Sequence, residues 1–131
     1  MLRVQSPLSD DVERLIYDII GCCIRVHREL GPGLLERIYA GAICIDLNAN
    51  GIPFEREKRI PVTYRGEVLV DQYLDLVVGG QVVLEIKAVE ALSPAHHKQI
   101  LNYMRIARLR AGLLVNFNVA ILPDGLSRKV L

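Results

Sequence analysis

The 131-residue chain carries almost no net charge: 16 Lys and Arg against 15 Asp and Glu leave +1 at neutral pH. Bulk electrostatics therefore do not mark it as a nucleic-acid binder. Charge or Gly interrupts every apolar stretch well before the ~20 residues that a membrane-spanning helix needs, so no membrane partner is expected. The N-terminus, Met-Leu-Arg-Val-Gln-Ser-Pro-Leu-Ser-Asp-Asp, lacks the basic-then-apolar layout of an export signal, which leads to the expectation of a cytoplasmic protein. Cysteine is scarce as well. Cys22, Cys23 and Cys44 are too few for a four-cysteine zinc or iron–sulfur site in one chain, and they read as small buried apolar residues in a reduced compartment. Repeats, linkers and low-complexity segments are missing too, and the length fits one domain, residues 1–131, with room for a core.

One local absence is more informative. No acidic residue occurs from Ala91 to Pro123, whereas His96, His97, Lys98, Arg105, Arg108 and Arg110 all fall there. Such a segment is either a local phosphate-facing patch or an ordinary solvated helix face.

The apolar pattern supplies the elements. Behind the capping residues Ser9, Asp10 and Asp11, the residues Val12, Leu15, Ile16, Ile19, Cys23, Val26, His27 and Leu30 recur at helical spacing until Gly31-Pro32-Gly33 breaks the run. A second helix is expected from about Leu34 to Asn48. From Phe54 to Ala88 the chain favours a β-meander with turns at Arg65-Gly66 and Gly79-Gly80. Ser93-Pro94 is a cap followed by proline at the first helical position, opening a third helix to about Arg108, and a buried strand follows over Leu113 to Phe117. The order ααβββαβ describes an α/β domain with a mixed sheet.

Asp75, Glu85 and Lys87 lie in the last hairpin of the meander. A two-residue loop at Gly79-Gly80 would put Asp75 opposite Leu84 and mix acids with apolar residues on each face. A three-residue loop, Gly79 to Gln81, pairs Val78 with Val82 instead. Leu74, Leu76, Val78, Val82, Leu84 and Ile86 then form one apolar face, and Asp75, Glu85 and Lys87 share the other, Asp75 opposite Glu85. Burial selects this register, because a one-residue slip turns every side chain over. Opposed carboxylates repel unless one is protonated or a cation lies between them. Hard carboxylate oxygens suit Mg²⁺ or Mn²⁺, which can clamp a phosphate and activate water, with Lys87 beside the developing charge. The plainer reading is a solvent-facing hairpin with ordinary surface charges.

Other residues add to the set at helical spacing. Glu36 and Tyr39 share a face at the start of the second helix, where Glu36 is either a partner of the helix dipole or a third carboxylate. Gln99 and Tyr103 share a face of the third helix and can hydrogen-bond a water, a carboxylate or a phosphate oxygen. His27, near a helix end, reads as a satisfied semi-buried histidine, and the adjacent His96 and His97 are poorly spaced for a common metal.

Taken in order, these pieces resemble the GxxExxY family, a branch of the PD-(D/E)XK nuclease superfamily. The signature stands as Gly33-Leu34-Leu35-Glu36-Arg37-Ile38-Tyr39, preceded by Val26-His27-Arg28-Glu29-Leu30-Gly31-Pro32. Tyr73-Leu74-Asp75-Leu76-Val77 resembles the superfamily's Asp strand, Glu85-Ile86-Lys87 its (D/E)XK strand, Gln99-Ile100-Leu101-Asn102-Tyr103 the Gln-x-x-x-Tyr helix of an exonuclease branch, and Leu114-Val115-Asn116-Phe117 the closing strand. The resemblance implies a restriction-endonuclease-like core. In it Glu36, Asp75, Glu85 and the Ile86 carbonyl would hold Mg²⁺ or Mn²⁺, Lys87 would assist the attacking water, and Gln99 and Tyr103 would support the substrate or the lysine. Tyr39 and His27 would be supporting residues, and His97, Lys98, Arg105 and Arg108 would meet the nucleic-acid backbone. The activity implied is metal-dependent phosphodiester hydrolysis; DNA rather than RNA is the expected substrate. The alternative is a non-catalytic module that binds nucleic acid or a partner protein on the same fold. The chain has no obvious second substrate-gripping region, so a homodimer or a partner subunit is expected.

Overall fold

Ser9 caps the first helix by accepting the Val12 N–H at 3.3 Å, and Asp10, Asp11 and Glu13 put negative charge where the helix dipole favours it. Helix α1 (Asp10–Leu30) buries Ile16, Ile19, Cys22, Cys23, Val26 and His27 along one stripe and stops at Gly31, whose φ of 69° suits glycine. The computed structural model describes residues 6–131; the first five, on which part of the reading of the N-terminus rests, lie outside them.

Helix α2 (Glu36–Ala49) begins at Glu36 rather than Leu34, because Leu35 is still extended. Strands β1 (Phe54–Tyr64) and β2 (Glu67–Val78) form a long antiparallel hairpin, closed by Arg65 and Gly66 with φ of 49° and 82°, both positive as a type I′ turn requires. Strand β3 (Val82–Lys87) folds back on β2. Helix α3 (Pro94–Ala107) then crosses over to β4 (Ala111–Asn116), which lies parallel to β3. A 3₁₀ turn at Leu122–Gly125 leads into β5 (Leu126–Val130), antiparallel to β4. The sheet order is β1-β2-β3-β4-β5. The α/β fold with a mixed sheet flanked by helices is thus present, and β5 extends the expected ααβββαβ order by one strand. Its sequence, Leu-Ser-Arg-Lys-Val, has no apolar alternation because it is a short edge strand, mostly half-exposed.

Helices α1 and α2 pack on one face of the sheet, against Leu76, Val78, Val82, Leu84, Ile86, Leu113 and Val115. Helix α3 covers the other with Ile100 and Met104, against Ile60, Leu74, Val77, Val83 and Leu114. Its close approach depends on Gly112, where a Cβ would lie 2.6 Å from Met104 Sδ. Strands β3 and β4 are therefore buried on both sides, as parallel neighbours at a sheet centre usually are.

The β2–β3 register is that of the three-residue loop: Leu76 pairs with Leu84, Val77 with Val83 and Val78 with Val82. Two expectations about its faces are corrected. The face carrying the acids is not open, since Val77 and Val83 on it are buried under α3. Leu74 joins that cluster instead of sharing a face with Leu76, so the alternation of β2 breaks at Asp75. The break lies between the pairs Arg56–Leu76 and Lys58–Leu74, beside Glu57, whose φ is 51°.

Candidate active site

The β2–β3 ladder stops at Leu76 and Leu84, and the strands part there. Side chains take over the bonds that the ladder would have made. The Asp75 N–H donates to Glu85 Oε1 at 3.0 Å, and the Ile86 N–H donates to Asp75 Oδ2 at 2.8 Å. Each acid thus anchors the other strand's backbone. Glu85 is only 4% exposed. Burial, and then the adjacent charge of Asp75, pushes its carboxyl up to about 8, against a smaller opposing pull from the Asp75 N–H and Lys87. Among the described residues no ion pair involves either acid. Two carboxyl groups, one of them buried, therefore face each other with no ion pair among the described residues, Lys87 acting on Glu85 only as a weaker neighbour. Hard oxygen donors lacking a counter-charge suit a divalent ion such as Mg²⁺.

Lys87 Nζ donates to Gln99 Oε1 on α3 at 3.3 Å. One turn further along α3, the Tyr103 hydroxyl donates to Gln72 Oε1 on β2 at 3.2 Å. Burial first, then the charges of Glu85 and Asp75, raise the Tyr103 hydroxyl above the usual phenol range. Lys98, Gln99, Asn102, Tyr103 and Gln72 line a groove of about 420 Å³ between α3 and the β1–β2 hairpin.

On the α2 side, Glu36 shares a cleft of about 480 Å³ with Asp75, Ile86, Arg56 and Glu57. Tyr39, fully buried, fixes the loop before Glu36: its hydroxyl donates to the Gly31 carbonyl at 2.5 Å and accepts the Leu34 N–H at 3.1 Å. Its ring stacks on Phe117 with centroids 4.6 Å apart. His27 is 6% exposed, and its Nε2–H donates to the Val119 carbonyl at 2.9 Å. Tyr39 and His27 thus both spend their polar atoms on backbone groups within the fold.

The candidates are not all brought together. Among the described residues no three His, Cys, Asp or Glu side chains converge into a metal-binding group. Glu36 lines the cleft of Asp75 without joining the Asp75–Glu85 pair. Of the basic residues, Lys98 lines the groove, whereas Arg105 donates to Asn102 and Arg108 forms the left-handed cap of α3. His97 is engaged elsewhere: Lys129 Nζ lies 2.7 Å from its Nδ1, and burial, then Lys129 and His96, lower its pKa. His96 accepts the Ser93 N–H in a capping box. Cys22, Cys23 and Cys44 are buried free thiols.

Asn116 stands in the sequence only as part of the closing strand. It is 2% exposed, pairs in register with Lys87, accepts the Val89 N–H at 3.1 Å and donates to the Val89 carbonyl at 2.9 Å. Next to it the Phe117 N–H donates to the Lys87 carbonyl at 2.8 Å. The end of β4 thereby fixes the chain that leaves Lys87. Its sequence signal was one amide closing the apolar run Ala-Gly-Leu-Leu-Val.

A carboxylate pair where a hairpin parts, a lysine two residues on, and a mixed sheet flanked by helices are consistent with a nuclease fold. A family model of the PD-(D/E)XK nuclease superfamily matches residues 13–129, and the chain belongs to that superfamily. No curated protein and no solved structure gives a significant match.

Proposed function

We propose that the protein is a GxxExxY-type nuclease that hydrolyses phosphodiester bonds in DNA, acts in the cytoplasm, and uses Mg²⁺ or Mn²⁺. The observation that carries the reading is the pair of crossed backbone bonds between Asp75 and Glu85, with Glu85 buried and neither acid in an ion pair among the described residues. Asp75, Glu85 and the Ile86 carbonyl would hold the ion, with Glu36 as a further carboxylate from the cleft wall. When bound, such an ion polarises the phosphate and lowers the pKa of an attacking water.

The chain's own groups do the rest. Glu85 gives up its proton as the site loads, since only its charged form is a ligand. Gln99 orients the Lys87 ammonium, which stabilises negative charge developing on the phosphate. Tyr103 would trade its bond to Gln72 Oε1 for one donated to a phosphate oxygen. Lys98, with Arg105 and Arg108 further along α3, meets the backbone, which positions a strand without reading its sequence.

The test is calorimetric titration of Mn²⁺ into wild type, Glu85→Ala and Lys87→Ala, followed by cleavage of DNA and of RNA of the same sequence. Wild type should bind the ion and cut DNA, and Glu85→Ala should lose both. Lys87→Ala should retain the ion and lose roughly 10²–10³-fold in rate. A wild type that binds the ion and DNA but cuts neither nucleic acid is the non-catalytic module instead. Absence of ion binding by wild type overturns the proposal.

A further inference from the structure

The β1–β2 hairpin is longer than the sheet that holds it. Strand β3 pairs with β2 only from Leu76 to Val78, and α3 reaches the hairpin as far as Ile60 and Gln72. Beyond these the two strands continue alone as an arm to the Arg65-Gly66 turn. A two-stranded ribbon without a packed face is marginal in water. The arm is nonetheless apolar. Val68, Leu69 and Val70 are consecutive and 61%, 67% and 49% exposed, and Tyr64 is 59% exposed. A register shift between Val62 and Thr63 breaks the alternation there, so neither face hides them. A run of exposed apolar residues of this kind is normally reserved for a contact.

Two features say what that contact is. Pro61 in β1 and the irregularity beside it blunt the β1 edge, so strand addition is disfavoured there. The charge at the tip is balanced: Arg65 and Glu67 flank Gly66, both exposed, and neither is in an ion pair among the described residues. Arg65 lies over the Tyr64 ring, 5.3 Å from its centroid. Nucleic acid calls for an excess of positive charge, as on α3. One charge of each sign beside an apolar run is self-complementary about a twofold axis, where Arg65 of each copy meets Glu67 of the other.

We propose that the tip of the β1–β2 arm is a homodimer contact, with Tyr64, Val68, Leu69 and Val70 as its apolar centre and reciprocal Arg65–Glu67 pairs as its rim. The contact sits away from Asp75, Glu85 and Lys87 and stands independently of the nuclease reading.

Sedimentation velocity over a concentration series tests it. Wild type should be a dimer. Leu69→Asp should be monomeric with an unchanged circular dichroism spectrum. Arg65→Glu and Glu67→Arg should each weaken the dimer roughly tenfold or more, because like charges then face each other twice. The double variant R65E/E67R should restore it, and an equimolar mixture of the two single variants should form a heterodimer. A monomeric wild type at every concentration, or a dimer indifferent to all these changes, overturns the proposal. So does a monomer whose nucleic-acid affinity falls with Leu69→Asp, which would assign the arm to nucleic acid.

Discussion

Glu85 is the residue whose surroundings least suit its charge. Its carboxyl titrates at about 8 in the folded chain against 4.5 for the free side chain, chiefly through burial and then Asp75. The folded state therefore holds this proton more tightly than the unfolded state. Below pH 4.5 both states are protonated and Glu85 brings no penalty. As pH rises toward 8 the unfolded chain ionises first, and stability falls. We expect the melting temperature of metal-free protein to decline across this window, the decline to vanish in Glu85→Gln, and Mg²⁺ to flatten it in wild type by favouring the charged carboxylate. A thermal series in buffers with and without EDTA checks this. The positions of Asp75, Glu85 and Lys87 were legible because a strict two-residue period leaves acids conspicuous in an apolar hairpin. What the carboxylates do was not: the exchange of backbone bonds across the parting strands, and the partnership of Gln72 with Tyr103, depend on where the ladder ends. That is a tertiary fact.

Among the elements, the loop Gly31–Leu35 and the head of α2 show how a motif acts through structure. The tyrosine of the Gly-x-x-Glu-x-x-Tyr signature holds the loop from behind while Glu36 looks into the cleft. Tyr39→Phe keeps the stack on Phe117 but removes both hydroxyl bonds. It should cost about 1–3 kcal/mol, measured by urea unfolding, and should weaken Mn²⁺ binding, while the conservative loss of one hydroxyl leaves the α2 helix signal unchanged. Unaltered Mn²⁺ affinity would separate the loop from the site. Helix and turn positions were readable here because caps, Gly and Pro act locally. Strand β5 was not, because an edge strand owes its place to β4 and not to its own pattern. The faces of β2 were misread at Leu74 for a similar reason: an alternation carries no mark of the residue at which a strand changes phase.

At the scale of the whole molecule, the Glu13–Arg128 pair ties α1 to β5. The Arg128 guanidinium, with help from Ser6, lowers the Glu13 carboxyl to about 2 from 4.5. A depressed folded value means that the pair's contribution is full above pH 4.5 and is lost as pH falls toward 2. Glu13→Gln should therefore melt earlier than wild type at neutral pH and converge with it below pH 2. An exposed pair makes this a small difference, reduced by salt.

The fork between β2 and β3 also has a mechanical side. Asp75 lies between Leu74, buried under α3, and the three residue pairs that tie β2 to β3, while Glu85 is set in the twice-covered centre of the sheet. Both carboxylates are therefore held on packed segments, short of the exposed arm beyond Gln72. A ligand entering between them would meet donors already in place and would need little ordering of the chain to bind.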